Sequence, residues 1–263
     1  MKSRMVIYSH TERRIKIQEV KMQVLLKFIM KIPKLPVDYR RVFLSFFKKS
    51  LSSVADGKYY EKYYFNDNRR PFTFAVNLPS ASFSKECITL GKNEVALTFS
   101  TGDNLAGFVF MSAFLAQKDK PFNTPLGNTL TLKKVSTLPE RTVDSNSALV
   151  RMYSPLCLRE HNREKNQDIY YSVANENFDI KSKEIIKEQL ISDGFSENLA
   201  NSVEIIPIDC KKTVVLHYNT YLECSLGNFV LNADKSVINH LLKSGIGSRK
   251  SAGFGFAQLV AEA

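Results

Sequence analysis

The chain has 263 residues and a formal net charge of +11 at pH 7, with 44% hydrophobic and 24% charged residues. This composition is ordinary for a soluble globular protein, and no apolar run approaches the roughly 20 residues of a membrane span. The charged N-terminus lacks the apolar core of a secretory signal, so we expect a cytoplasmic protein with no membrane partner. The basic balance favours a polyanionic partner, with RNA, DNA and anionic lipid all open.

Metal-binding patterns are missing from the sequence. The four cysteines lie far apart, without a C-x-x-C pair or a histidine at a repeating ligand spacing, and no carboxylate cluster has metal spacing. Small buried cysteines in a reducing compartment are the better interpretation, and we expect neither a metal nor a cofactor.

The N-terminal region predicts an extension, a strand and a helix. We interpret residues 1–21 as an extension of uncertain order, with His10 non-functional, followed by a strand over 23–32 that Lys34 to Pro36 ends. Asp38 is a fair cap for a helix whose apolar residues recur at helical spacing, namely Tyr39, Val42, Phe43, Phe46, Phe47, Leu51 and Val54. The opposite face of this helix is basic and carries Arg40, Arg41, Lys48 and Lys49.

The rest of the first half completes a β-α-β-β-α-β order. Gly57 is a plausible break before a tyrosine cluster formed by Tyr59, Tyr60, Tyr63 and Tyr64. Strands are predicted over 70–76, 93–100 and 129–138, and a second helix is indicated by Leu105, Phe108, Val109 and Ser112. This order is that of the ferredoxin-like module.

The second half repeats the scheme, with strands over 148–158, 203–209, 213–230 and 254–260 and helices over 180–191 and 237–243. Gly194 stops the first of these helices, and a short continuation starts at Ser196. We therefore predict an α+β protein with two tandem ferredoxin-like domains, over 22–141 and 142–263.

A glycine-rich loop over 245–255 separates the last helix from the last strand. Four of the eleven glycines of the chain lie in it: Gly245, Gly247, Gly253 and Gly255. Glycines permit positive φ, and consecutive exposed N–H groups form an anion-binding concavity. Between the glycine pairs lie a hydroxyl and two cations, Ser248, Arg249 and Lys250, which favour a phosphodiester ligand.

Two familiar glycine loops are excluded. A nucleotide-binding P-loop needs Gly-Lys-[Ser/Thr] opening a helix, whereas this loop follows a helix. A dinucleotide-binding fingerprint has the pattern G-x-G-x-x-G and follows a strand. Counted from Gly245, the position of its third glycine is occupied here by Lys250. A tight connection without a ligand is the alternative for any such loop.

The pattern Gly245-Ile-Gly247, five residues, then Gly253-Phe-Gly255 resembles the signature of the CRISPR-associated endoribonucleases that cut repeat RNA. They form the sixth Cas protein family of the RAMP superfamily. The resemblance implies two RRM/RAMP-type ferredoxin-like domains and metal-independent cleavage, in which the 2′-hydroxyl attacks the adjacent phosphate and mature guide RNAs are released for antiviral defence. Sister RAMP proteins bind RNA without cutting it, so a non-catalytic subunit of a CRISPR effector complex is the alternative.

The family's usual histidine on or near the first helix is absent, since residues 22–160 contain no histidine. The chain is similar to members that use lysine, tyrosine and arginine, which makes Lys48, Lys49 and Tyr39 catalytic candidates. His161 is a further candidate, because it follows a Ser-Pro element of the family and suits proton transfer near neutral pH. The alternative for Lys48 and Lys49 is a solvated helix face, that for Tyr39 is packing, and that for His161 is an RNA backbone contact. His217 and His240 are interpreted as structural.

The resemblance also gives RNA contacts and partners. Expected contacts, besides the four glycines, are Ser248, Arg249, Lys250, Arg159, Arg163 and Arg70. The expected partner is CRISPR repeat RNA, with other Cas effector subunits as further partners, for a monomer or homodimer.

Overall fold

The computed structural model describes residues 22–65 and 70–262. The predicted extension over 1–21, with His10, lies outside the described residues. In the described part, no helix is long and apolar enough to cross a membrane.

The first half builds one five-stranded antiparallel sheet in the order β3-β6-β1-β8-β7. A smaller sheet has the order β2-β5-β4. Without the added edge strand β7, the larger sheet has the strand order and connections of the ferredoxin-like module. The elements of this half are β1 Met22–Met30, β2 Lys34–Pro36, α1 Arg40–Ser52, α2 Lys58–Tyr64, β3 Phe72–Asn77, β4 Ser82–Phe83, β5 Cys87–Thr89, β6 Glu94–Thr101, α3 Asn104–Ala116, β7 Pro121–Thr124 and β8 Asn128–Leu138.

The second half builds a four-stranded antiparallel sheet in the order β12-β13-β9-β14, again the ferredoxin-like order. A separate hairpin, β10 with β11, is inserted before the first helix of this half. The α+β class and the ferredoxin-like fold are confirmed, while the domain boundary at 141/142 stays a prediction. The elements are β9 Ser147–Met152, β10 Leu158–Asn162, β11 Gln167–Tyr171, α4 Phe178–Ser192, α5 Glu197–Asn201, β12 Glu204–His217, β13 Thr220–Asn232, α6 Lys235–Ser244 and β14 Ala257–Glu262.

An aromatic core holds α1 and α3 against one face of the first sheet. Phe47 on α1 is fully buried, and its ring packs against five others, those of Phe72, Phe74, Phe99, Phe110 and Phe114. Because such rings bury large apolar areas, this cluster fixes the position of α1 relative to β3. The start of α1, the start of β3 and the end of β6 contact the second half.

Two local expectations are wrong in detail. Lys34 to Pro36 does not simply end a strand but forms β2. The strand expected over 148–158 ends at Met152, since Pro155 has no N–H for the sheet.

The second helix of the first half is present over Asn104–Ala116. Its inward side is formed by Ala106, Val109, Phe110, Ala113 and Phe114, so Leu105 and Phe108 are 46% and 68% exposed.

Asp38 does not cap α1, which begins at Arg40 after an N-cap Tyr39 without a side-chain cap bond. Its carboxylate instead accepts hydrogen bonds from His217 Nδ1 at 3.0 Å and from the main-chain N of Tyr218 at 2.8 Å. The β12–β13 hairpin is therefore hydrogen-bonded to the segment just before α1, and His217 is structural in this arrangement.

Candidate nucleic-acid interface

A cleft of about 650 Å³ lies between the two halves of the protein. The first half contributes Arg70, Pro71, Gly102 and Asp103, and the second contributes residues of α4, of α6 and of the glycine loop. The cationic lining residues are Arg70, Arg159, Arg249 and Lys250, and the acidic ones are Asp103, Glu188 and Asp193. The fold thus brings arginines that are far apart in sequence to one opening.

The glycine loop is closed by hydrogen bonds within the protein. Ile246 N donates to Gly255 O, Ser248 N donates to Cys157 O, and Gly247 N donates to the side chain of Gln189 on α4. Gly255 N donates in turn to Pro155 O. The expected concavity of exposed N–H groups is therefore wrong for this part of the loop, because its donors already have acceptors.

The glycines of the loop serve close packing. A Cβ on Gly255, at φ +70°, would lie 2.0 Å from Ile246 O, and one on Gly247 would lie 2.7 Å from Cys157 O. All four loop glycines are buried, as are Ile246 and Phe254 between them. The part of the loop that reaches the surface is the stretch 248–252.

The first half of the chain supports the loop directly. Arg40 Nε donates to Gly253 O at 3.1 Å, and its guanidinium lies 4.6 Å from the Phe254 ring centre. Thr73 Oγ1 donates to Phe254 O at 2.9 Å. Arg40 is only 5% exposed, so the expectation that it lies on a basic solvated face is wrong.

Asp168 on β11 gathers the basic side chains at one side of the cleft. Arg159 donates to both of its carboxylate oxygens at 3.1 Å, His161 Nδ1 lies 2.8 Å from Oδ1, and Arg249 Nη2 donates to Oδ2 at 3.0 Å. Partial burial opposes ionisation, but the bonds from His161 and Arg159 outweigh it and lower the pKa of Asp168 to about 2. An ionised carboxylate only accepts, so His161 carries its hydrogen on Nδ1 and leaves Nε2 as its basic nitrogen when neutral.

Asp193, after α4, has a similar role on the other side. Its Oδ2 accepts from His240 Nε2 at 3.0 Å and from Lys250 Nζ at 3.2 Å. Burial opposes ionisation, but the His240 hydrogen bond and the Lys250 charge lower the pKa of Asp193 to about 2. Both loop cations are thus paired with carboxylates.

Arg249 is unusual in two respects. It has φ 54° and ψ 27°, a left-handed conformation that is uncommon for a residue other than glycine. Its Nε is buried without a hydrogen-bond acceptor among the described residues, although Nη2 also donates to Tyr170 Oη at 2.7 Å. Strained backbone and unsatisfied buried donors concentrate at functional sites.

A second cationic group surrounds Tyr64 at the end of α2. Its ring lies 4.7 Å from the Arg70 guanidinium and 5.1 Å from Lys48 Nζ, and it stacks on Tyr60. Burial raises the pKa of Tyr64 above its ordinary value. Arg70 is also a lining residue of the cleft, so Lys48 reaches the neighbourhood of the cleft through this ring.

The structure brings some predicted residues to the cleft and leaves others outside its lining. The lining includes Arg70, Arg159, Gly247, Ser248, Arg249 and Lys250. His161 lies beside it through Asp168, and Tyr39 stacks on Arg40, with the guanidinium 4.7 Å from the ring centre. Lys49 on α1 and Arg163 in the β10–β11 turn are exposed away from the lining.

Sequence reasoning missed Asp168, Asp193 and Gln189 and interpreted His240 as structural, although His240 lines the cleft. The sequence pattern did not predict the roles of the two carboxylates, because each lies more than 40 residues from the loop cation that it binds.

Comparison with solved structures shows the same fold. A Cas6-related protein from Pyrococcus furiosus has a TM-score of 0.77 at 15% identity, over 92% of this chain and 100% of that one. An RAMP protein binding different RNA substrates has a TM-score of 0.75 at 16% identity, over 91% and 100% of the chains. A Cas6 product complex has a TM-score of 0.68 at 15% identity, over 91% and 100%.

Sequence comparison adds a match over the second half of the chain. No curated protein matches the chain. Residues 138–259 match the model of the C-terminal part of CRISPR associated protein Cas6. This region contains the inserted hairpin, α4, α6 and the glycine loop. Residues 138–259 thus match the C-terminal part of Cas6, within a fold that the chain shares with solved Cas6 and RAMP structures.

Proposed function

We propose that the protein is a cytoplasmic, metal-independent endoribonuclease that binds CRISPR repeat RNA and cleaves it within each repeat to release guide RNAs. The 2′-oxygen attacks the adjacent phosphorus, the P–O5′ bond breaks, and a 2′,3′-cyclic phosphate and a 5′-hydroxyl result. The enzyme must accept the 2′-hydroxyl proton, supply one to the leaving oxygen and stabilise the phosphate charge.

The observation that carries the proposal is Arg249. Its left-handed backbone and its buried Nε, which has no acceptor among residues 22–65 and 70–262, coincide at the edge of the cleft, where its guanidinium could meet a phosphate. Guanidinium groups suit planar recognition of phosphate. Arg70 lies on the lining contributed by the first half, and a phosphate held between the two arginines would bridge the halves.

Carboxylates in the free protein hold the loop cations in place. Because Asp168 pairs with Arg249 and Asp193 pairs with Lys250, both cationic side chains are ordered before RNA arrives. An RNA phosphate would then accept hydrogen bonds from the same two side chains. Pre-ordered donors reduce the entropy that binding costs. The same pairing limits attraction for unspecific anions.

For proton transfer we propose His161, whose Nε2 is left basic by the bond from Nδ1 to Asp168. Lys48 and Arg70, on either side of Tyr64, are proposed to stabilise phosphate charge. Lys49 and Tyr39 stay weaker candidates. The exposed Arg163, in the same hairpin as His161, is a candidate for contact with the RNA backbone.

The alternative is a non-catalytic RNA-binding subunit, favoured by the absence of histidine from residues 22–160. Incubation of purified protein with end-labelled repeat RNA from the same genome, in EDTA, separates the two. Cleavage at one position, with a 2′,3′-cyclic phosphate on the upstream product, supports the enzyme. Tight binding of uncut RNA supports the subunit. Size-exclusion chromatography distinguishes a monomer from a homodimer, and co-purification tests for other Cas subunits.

A further inference from the structure

A second basic groove, of about 330 Å³, lies on the open face of the first sheet, opposite α1 and α3. Lysines from three places in the chain line it: Lys27 on β1, Lys92 before β6, and Lys133 and Lys134 on β8. The acidic lining residue is Glu94. The groove is therefore strongly cationic, and its residues belong to none of the clusters around the cleft.

The pairing of the strands places like charges side by side. One cross-strand row runs Asn77, Ala96, Lys27, Lys134 over β3, β6, β1 and β8. Directly opposed side chains lie about 5 Å apart at Cβ, and like charges at that distance destabilise a sheet. Lys27 opposite Lys134 thus costs folding free energy that an anion between them would offset.

A β-bulge adds a third cation to the same face. The register of β1 with β8 pairs Lys27 with Lys134 but Phe28 with Leu132, which leaves Lys133 as the extra residue. Consecutive residues of a regular strand point to opposite faces, whereas both lysines here are exposed and line the groove. Bulges redirect side chains in this way. Here the bulge turns Lys133 to the exposed face of the sheet and away from the core.

Among the described residues, most of these ammonium groups have no carboxylate oxygen within ion-pair distance. Lys133 is paired with Asp119 at 3.0 Å. Over residues 22–65 and 70–262, no carboxylate oxygen lies within 4.0 Å of Nζ of Lys27, Lys92 or Lys134. Flexible ammonium groups of this kind suit phosphates as point charges, without a fixed geometry.

We propose that this groove, which we call the lysine groove, binds phosphates of the single-stranded RNA that continues from the cleft. The proposal rests on the proposed function, because it assigns a path to the same RNA. Strand β3 starts at Phe72, next to the cleft residue Pro71, and ends at Asn77 in the groove. Five residue steps, roughly 17 Å, therefore separate the two sites, a distance that a short stretch of RNA covers.

The test is the salt dependence of RNA binding by the double variant Lys27→Gln/Lys134→Gln. Each phosphate contact contributes about 0.7 to the slope of log affinity against log salt concentration for a single strand, so the slope falls in magnitude by about 1.4. The slope is obtained by measuring the affinity for labelled repeat RNA by fluorescence anisotropy. The salt concentration is varied over a roughly sixfold range, from about 50 to about 300 mM. The matched control, Lys183→Gln/Lys235→Gln, removes two exposed lysines of the second half.

A slope reduced in the groove variant and unchanged in the control supports the lysine groove. Equal slopes for the groove variant and wild type overturn it. Wild-type protein that binds RNA without cutting it contradicts the endonuclease and leaves the groove testable by the same slopes. Wild-type protein that binds no RNA overturns both proposals.

Discussion

Arg40 and Gly253 lie 213 positions apart in the chain and are joined by a hydrogen bond of 3.1 Å from Nε to the main-chain oxygen. The same guanidinium stacks between the rings of Tyr39 and Phe254. The first helix of one half thereby fixes the glycine loop of the other. A basic residue that the sequence pattern placed on the face of the helix opposite the apolar one is a structural link between the halves.

Replacing Arg40 tests this link. Arg40→Met keeps an apolar stem but leaves Gly253 O without its donor, and we expect the free energy of unfolding to fall by about 2 kcal/mol. Urea denaturation measures the change. The neighbour Arg41, whose side chain is 52% exposed, provides the control, because Arg41→Met should stay within about 0.5 kcal/mol of wild type. Equal effects of the two substitutions would contradict the link.

The close packing of the glycine loop predicts a large effect at Gly255. Gly255→Ala places a methyl group against Ile246 O, whereas Gly127→Ala, at a similar positive φ of +63°, meets nothing within 4 Å. Both substitutions carry backbone strain of about 1 kcal/mol, and only the first adds overpacking of about 1–3 kcal/mol. Thermal unfolding of both variants separates the two contributions. A Gly127 variant as unstable as the Gly255 variant would show that strain alone decides.

Asp193 predicts acid lability. Its pKa is lowered from 3.8 to about 2 in the folded protein, so it contributes stability above pH 4 that is lost as the pH falls from about 4 to about 2. The contribution is about 2 kcal/mol. Asp193→Asn should lose this amount at pH 7 and show a flatter decline below pH 4. Chemical denaturation at a series of pH values gives both curves, and parallel curves would argue against the pairing with His240 and Lys250.

His161 predicts a kinetic defect without a binding defect. His161→Gln should lower the single-turnover cleavage rate at saturating RNA by about 10²–10⁴-fold, because it removes the group proposed to transfer a proton. RNA affinity should change less than the rate. Lys165→Gln, an exposed change in the same hairpin, is the control. An unaltered rate for His161→Gln would contradict its role in proton transfer.

Local patterns predicted the architecture well and the site only in part. The doubled β-α-β-β-α-β order and the helix-loop-strand around Gly245 to Gly255 follow from apolar periodicity and glycine clustering, which are local properties. Asp168 and Asp193 could not be predicted, because their partners are set by how the hairpin and α4 pack against the loop. The anion concavity failed for a related reason, since the acceptors for the loop donors come from Pro155, Cys157 and Gln189.

The central claim is that the 2′-hydroxyl of the RNA is the nucleophile, and a single 2′-deoxy substitution tests it most directly. Repeat RNA is first cut by the purified protein in EDTA to locate the site, and the substrate is then remade with one deoxynucleotide on the 5′ side of that bond. We predict that cleavage there stops while the binding affinity stays within a few-fold. Continued cleavage of the deoxy substrate at the same bond would contradict the account.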